Sequence, residues 1–155
     1  MTLLDKAKDV WEVEIEKDYG EDIGLVFEHP TIAPLYKCKN NCLFCFVAQL
    51  PPGVRHTLCI KDDDYRLSSL HGSFITLTNL LDADWQRLLT MRPSPLYVSV
   101  HTTNGSLRQK MMRNPRAGAI LEQLQILAAH HIEIHCQVVL VPDLNDGAEL
   151  DRTIT

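Results

Sequence analysis

From residue 31 onward, short apolar segments typical of β-strands alternate with segments whose apolar residues recur at helical spacing. The predicted strands lie at 32–36, 74–78, 96–101 and 132–141. A chain that alternates strand and helix forms parallel strands joined by right-handed crossovers. A complete (β/α) barrel of the TIM type needs about 250 residues. The sequence therefore predicts an α/β fold, the first half of such a barrel, truncated within 155 residues.

The predicted helices lie between these strands. Asp82 is the expected N-cap of "ADWQRLL", and "AGAILEQLQILAAHH" carries a single apolar stripe. In the last segment, "NDGAELDRTIT", Asn145 or Asp146 is the expected cap. We expect Leu150 and Ile154 to lie on its apolar side and to cover the sheet.

The first 29 residues have a different pattern. Residues 10–16, "VWEVEIE", alternate strictly between apolar and acidic side chains, which is typical of a half-exposed strand. "KDYGED" then predicts a turn, and "IGLVF" at 23–27 a return strand. The chain is therefore expected to divide into a β-hairpin region, 1–29, and an α/β region, 30–155.

One face of each predicted strand from 74 onward is polar. A parallel sheet covered by helices cannot turn such a face to water. We therefore expect a polar lumen, with functional groups near the carboxyl ends of the strands. The residues of this polar face are Thr76 and Thr78, then Tyr97, Ser99 and His101, then Glu133, His135 and Gln137.

Composition excludes several classes of protein. No run approaches the roughly 18 apolar residues of a membrane span, and the amino terminus lacks the apolar stretch of a secretory signal. These features predict a cytoplasmic protein without a membrane partner. The net charge of -5 argues against a general nucleic-acid binder. Within the basic stretch 107–116, a solvated helix end is favoured over an anion site, and the acidic run 62–64 is expected to be a solvated turn in which Arg66 pairs locally.

Three of the five cysteines, Cys38, Cys42 and Cys45, lie in "CKNNCLFC". An odd number of cysteines in a reducing compartment fits metal ligands or redox groups better than disulfides. Thiolates select iron-sulfur clusters, zinc or copper(I). Buried cysteines acting as small hydrophobic groups and a structural zinc site completed by His56 or Cys59 are the alternatives. Lys39, Asn40 and Asn41 predict a polar, exposed loop, and Cys59 and Cys136 are expected to be packing residues.

The spacing Cys38, Cys42, Cys45, with Phe44 directly before the third cysteine and a predicted strand before the first, resembles the signature of radical S-adenosylmethionine (radical SAM) enzymes. The likeness continues through "SPLYVSVHTTN", "RNPRAG", "IEIHCQVVL" and "NDGAELDRTI". It is similar to one subgroup, in which a PDZ-like domain precedes the radical SAM domain and a domain of unknown function, number 512, follows. By this resemblance the opening hairpin is the end of the PDZ-like domain.

The resemblance implies a four-iron, four-sulfur (4Fe-4S) cluster held by Cys38, Cys42 and Cys45, with S-adenosylmethionine bound to it. Reductive cleavage would yield a 5'-deoxyadenosyl radical. It further implies an electron donor such as a flavodoxin or ferredoxin, and leaves the substrate and the catalytic residues unassigned. The alternative is a non-catalytic zinc- or iron-sulfur-binding module. The residues expected to contact the cofactor are Phe44, Thr76, Thr78, Asn79, Ser99, His101 and Gln137.

Overall fold

The computed structural model describes residues 2–4, 9–26 and 33–155. The chain separates into two compact units, Met1–Ala33 and Pro34–Thr155. In the first, strand β1 (Thr2–Leu4) pairs antiparallel with β2 (Val10–Glu12), with Leu3 opposite Trp11.

The hairpin predicted between 10–16 and 23–27 is wrong. The strand ends at Glu12, and residues 13–18 and 21–26 form no regular structure; Phe27 lies outside the described residues. The alternation of apolar and acidic side chains gives the segment two distinct faces, but a β-strand also needs a neighbouring strand to accept and donate its backbone hydrogen bonds. Here the partner is the segment 2–4, which is only long enough to pair with three residues.

The second unit carries the remaining elements. Its helices and strands are α1 (Tyr65–His71), α2 (Asp82–Met91), β3 (Leu96–Ser99), α3 (Gly105–Met112), α4 (Ile120–Ala129), β4 (Ile134–Gln137) and α5 (Gly147–Ile154). Short 3-10 turns lie at Val47–Gln49, His56–Cys59 and Pro115–Ala119. The strand–helix alternation predicted for 74–155 is thus present, with shorter strands.

Strands β3 and β4 pair in parallel, in a register that sets Ser99 opposite Gln137. Ile75 forms a parallel bridge with Val98, since its N–H donates to Tyr97 O at 2.9 Å and its carbonyl accepts from Ser99 N at 2.7 Å. The parallel orientation of these three segments is confirmed. The segment 74–78 is not a full strand, because Leu77 adopts a positive φ of 61° and turns the chain away.

The strand predicted at 32–36 is also wrong over its described part. Residues 33–36 are irregular, and Lys37 instead makes an antiparallel bridge with Asp62. The fold is therefore mixed α/β, and the TIM-type half-barrel stays a prediction.

The core of this unit lies between the short parallel sheet and the helices. Helix α4 contributes Ile120 and Leu127, and α2 contributes Leu88, each fully buried. The other members of the core cluster are Tyr65, Ile75, Leu77, Leu80, Leu96, Val98, Val100 and Ile132. This apolar layer positions the carboxyl ends of the strands.

The start of α2 and the apolar side of α5 differ from expectation. Leu81 precedes α2 as its cap and its N–H donates to Asp84 Oδ2 at 3.0 Å, so Asp82 is the first helical residue and not the cap. Asp146 does cap α5. On α5, Leu150 is half-buried but Ile154 is 70% exposed, so the predicted apolar cover is only partly formed. Within the described residues, no helix has the length and apolar character needed to cross a membrane.

Candidate cofactor site at the cysteine loop

Cys38, Cys42 and Cys45 lie in an irregular, half-buried loop that ends at the turn Val47–Gln49. Backbone hydrogen bonds hold this loop at its start and near its middle. Cys38 N donates to Lys61 O at 2.9 Å, and Leu43 N donates to Met111 O at 2.9 Å. The cysteines are therefore held against the carboxyl end of α3 and against residue 61.

The Cys42 thiol lies close enough to the other two loop thiols to be influenced by them. Burial, followed by the nearby Cys38 and Cys45 thiols, raises the pKa of Cys42 to about 11, while Lys61 acts in the opposite direction. Burial also raises the pKa of Cys38. Thiolates crowded in this way are stabilised by a cationic centre among them. Across the described ranges, no group of three or more His, Cys, Asp or Glu side chains has the arrangement of a metal-ion site.

A cavity of about 390 Å³ opens beside the loop. Its volume lies within the range typical of small-molecule sites. Cys38 and Cys45 form one wall, and Ser99 and Gln137, at the carboxyl ends of β3 and β4, form another. The remaining lining residues are Phe46, Val47, Leu58, Ile60, Lys61, Asp62, Ser73 and Phe74.

A network of buried and half-buried side chains, here called the polar hub, connects to the loop through Asn40; its other members are Asp63, Thr76, Thr78 and Asn114. The Asn40 amide nitrogen donates to Thr76 Oγ1 at 3.0 Å, and its oxygen accepts from Thr78 Oγ1 at 3.1 Å. Asn114 Nδ2 donates to the same Asn40 oxygen at 2.6 Å. The hub joins the cysteine loop to the segment 76–78.

Asp63 closes the hub from the other side. Its carboxylate accepts from Thr76 N at 2.6 Å and from Thr76 Oγ1 at 2.5 Å, and burial raises its pKa. The expectation that 62–64 is a solvated turn is wrong, since Asp63 and Asp64 are buried. The local pairing of Arg66 is confirmed by its 2.6 Å ion pair with Asp64.

Arg108 lies behind the hub and is completely buried. Its guanidinium donates to four backbone carbonyls, those of Val100, Ala117, Ser99 and Thr76, at 2.8, 2.8, 2.6 and 3.0 Å. Burial lowers its pKa to about 10, so it is charged at neutral pH. The solvated helix end predicted for 107–116 is therefore wrong at this residue, which ties together the ends of the parallel segments.

His101 follows β3 and is buried, with a positive φ of 64°. Its Nδ1 accepts from Val139 N at 3.2 Å, and its carbonyl accepts from Asn145 Nδ2 at 2.8 Å. Its ring meets Phe44 edge-on with centroids 4.5 Å apart. Burial, then the charge of Arg108, lowers the pKa of His101 to about 4, so the ring is neutral near pH 7.

The structure brings most predicted site residues to the cysteine loop. Ser99 and Gln137 line its cavity, Thr76 and Thr78 belong to the polar hub, and Phe44 contacts His101. Asn79 is separate: it donates to Asp63 O at 2.8 Å and lines a different cavity with Tyr36 and Lys37.

Sequence reasoning was wrong about three further side chains near or beyond the loop. Asn40 is only 3% exposed, although the loop was expected to be exposed throughout. Cys59 and Cys136 are exposed, so they are not packing residues. The one available signal for Asn40 was its position between Cys38 and Cys42. Asp63, Arg108 and Asn145 carried no such signal, because their roles depend on contacts with distant residues.

A thiol loop at the carboxyl ends of parallel strands defines an α/β protein with a candidate cofactor site. Residues 17–155 match the family described as "Radical SAM-like domain". The chain belongs to this family, whose members generally use an iron-sulfur cluster and S-adenosylmethionine. No curated protein and no solved structure matches it. The PDZ-like domain and the domain of unknown function stay predictions.

Proposed function

We propose that Cys38, Cys42 and Cys45 hold a 4Fe-4S cluster and that the protein uses it to cleave S-adenosylmethionine reductively. The observation that carries this proposal is the cavity shared by the loop cysteines and by the two strand-end residues, Ser99 and Gln137. A cofactor in that space would meet soft sulfur ligands on one side and hydrogen-bonding side chains on the other. Family membership supports the same reading.

The donor set fits an iron-sulfur cluster. Three thiols from one short loop offer soft ligands and leave one iron without a protein ligand. Burial raises the pKa of Cys38, and burial together with the neighbouring Cys38 and Cys45 thiols raises that of Cys42; a bound cationic cluster would offset both effects. A cluster held by Cys38, Cys42 and Cys45 would, when reduced, supply the one-electron reduction that cleaves the sulfonium of S-adenosylmethionine to methionine and a 5'-deoxyadenosyl radical, which would take a hydrogen atom from the substrate.

The protein's own side chains divide into two groups. Ser99 and Gln137 line the cavity, so their hydroxyl and amide groups can hydrogen-bond the polar atoms of S-adenosylmethionine. Thr76 and Thr78 are already engaged in the polar hub, so they support the loop instead of reaching into the cavity. Phe44, packed against the neutral His101 ring, supplies an apolar contact beside the third cysteine. Asn79 stays a candidate whose contacts lie in the neighbouring cavity.

The partners follow from this chemistry. We propose a small redox protein, such as a flavodoxin or ferredoxin, as the electron donor. The substrate class is left open.

The test is anaerobic reconstitution with iron and sulfide, followed by dithionite reduction with S-adenosylmethionine and measurement of 5'-deoxyadenosine. We expect about four irons and four sulfides per chain, as the cluster formula requires. Cys38→Ala, Cys42→Ala and Cys45→Ala should each abolish the cluster and the product. The matched controls, Cys59→Ala and Cys136→Ala, remove exposed thiols outside the loop and should leave both unchanged.

Two outcomes would contradict the proposal. Stoichiometric zinc without sulfide would identify a structural zinc module. A stable cluster that yields no 5'-deoxyadenosine would identify a non-catalytic iron-sulfur module.

A further inference from the structure

Two asparagines stand side by side between Cys38 and Cys42, in opposite environments. Asn40 is 3% exposed, whereas its neighbour Asn41 is exposed. A buried primary amide is costly unless its donors and acceptors are satisfied. Asn40, between Cys38 and Cys42, is therefore expected to have each polar atom of its side chain hydrogen-bonded.

All polar atoms of the Asn40 side chain are used. Its amide nitrogen donates to Cys38 Sγ at 3.4 Å and to Thr76 Oγ1 at 3.0 Å. Its oxygen accepts from Thr78 and from Asn114. Its backbone carbonyl accepts from Lys61 Nζ at 2.8 Å.

The partners fix which end of the amide faces the sulfur. Thr76 Oγ1 donates to the Asp63 carboxylate at 2.5 Å, so toward Asn40 it can only accept. The group opposite Thr76 must then be the amide nitrogen. The same nitrogen faces Cys38, so the N–H···S contact is imposed by the hub and does not depend on an arbitrary choice of amide orientation.

We propose that Asn40 is a positioning residue that raises the reduction potential of the cluster through its N–H···S bond to Cys38. The inference rests on the proposed function. Hydrogen bonds to ligating sulfurs are one of the means by which a protein sets a cluster's potential, because they stabilise the added negative charge of the reduced state. The hub holds the amide in place, so this stabilisation needs no rearrangement on reduction.

The test compares Asn40→Ala with Asn41→Ala in the anaerobically reconstituted full chain. The midpoint potential is measured by a dithionite titration followed by electron paramagnetic resonance. Loss of the bond should lower the reduction equilibrium constant about tenfold, which corresponds to a potential about 59 mV more negative for a one-electron couple. Asn41→Ala, in the same loop but exposed, should leave the potential unchanged.

A second pair of variants separates the effect of the N–H···S bond from the effect of an added negative charge. Asn40→Asp and Asn41→Asp each replace an amide by a carboxylate in the loop, but only the first also removes the side-chain N–H donor to Cys38. The potential should fall further in Asn40→Asp than in Asn41→Asp. The backbone N–H of residue 40 also bonds Cys38 and is present in every variant, so hyperfine spectroscopy of the reduced cluster in wild type and both Asn41 variants should detect one exchangeable-proton coupling more than in both Asn40 variants.

The possible failures are distinguishable. If wild-type protein takes up no cluster, the proposed function and this inference both fall. If wild type and Asn40→Ala have the same potential and the same exchangeable-proton coupling, only the inference falls. If both Asn40 variants fail to bind iron while both Asn41 variants bind it, the inference is also overturned, because Asn40 then builds the loop and does not tune a cluster.

Discussion

The two ends of the short parallel sheet are built from different kinds of side chain. At the carboxyl ends lie buried polar groups, among them Thr78, Ser99 and His101, with 2%, 8% and 3% of their surface exposed. Toward the amino ends runs a partly exposed row of rings, Phe74, Tyr97 and His135. Their successive centroids are 5.5 and 4.8 Å apart.

The difference indicates where the structure tolerates change. A buried polar group must keep its hydrogen bonds or cost free energy, so a satisfied network specifies one geometry. Ring contacts at a half-exposed surface are less directional and each contributes little. The carboxyl ends are therefore expected to be stiff and sensitive to substitution, and the exposed His135 end of the aromatic row to be tolerant.

The largest effect is expected for Arg108→Met. The substitution keeps much of the apolar stem but leaves four buried carbonyls without their donor. Since hydrogen bonds from charged groups contribute about 1.5–3 kcal/mol each, the free energy of unfolding should fall by at least about 3 kcal/mol. Urea unfolding followed by circular dichroism measures it.

Lys110→Met is the matched control for this prediction. Lys110 is an exposed cation on the same helix, so its loss should change the free energy of unfolding by no more than about 0.5 kcal/mol. Equal effects of the two substitutions would show that the carbonyls do not depend on Arg108.

A second prediction concerns pH and His101. Its pKa falls from 6.5 to about 4 on folding. Between these values the unfolded chain binds a proton that the folded chain does not. The contribution of the neutral His101 to the free energy of unfolding is therefore complete above about pH 6.5 and is lost as pH falls toward 4. At about 1.4 kcal/mol per pH unit, the loss approaches about 3 kcal/mol.

The measurement is urea unfolding from pH 4 to 7 for wild type and His101→Asn. Asparagine tolerates the positive φ at this position and does not titrate in this range. As pH falls from 7 to 4, wild type should lose more free energy of unfolding than His101→Asn. A difference that is constant across this range would contradict a buried, neutral His101.

Only part of the fold and of the candidate site could be predicted from the sequence. The spacing of three cysteines and the strand–helix rhythm predicted the site loop and the parallel segments, because both are local patterns. Strand lengths were overestimated, because the alternation of apolar and polar side chains shows which face of a segment is apolar but not whether a neighbouring strand pairs with it. Residues 13–16 are an example. The burial of Asn40 and Arg108 was missed because their bonds join residues 36 and 32 positions away, to Thr76 in both cases.

A smaller effect is expected for Asp63→Asn. The carboxylate accepts from both Thr76 N and Thr76 Oγ1. An amide has one acceptor oxygen, which can keep the bond from Thr76 N, but its NH₂ group would face the hydroxyl and compete with the donors from Asn40 and Thr78 that Thr76 Oγ1 already accepts. We expect a loss of about 1–2 kcal/mol in the free energy of unfolding at pH 7. The half-buried neighbour Asp62, changed to Asn, serves as control and should lose less.

The smallest effect should come from the aromatic row. His135 stacks on Tyr97, but about half of its side chain, 49%, is exposed. Because a ring pair contributes about 0.5–1.5 kcal/mol when packed, His135→Ala should lower the free energy of unfolding by about 0.5 kcal/mol and leave iron uptake at the cysteine loop unchanged. Urea unfolding and iron analysis after reconstitution measure the two. A loss above about 2 kcal/mol would place the ring row in the core, and the sheet would then be equally sensitive at both ends.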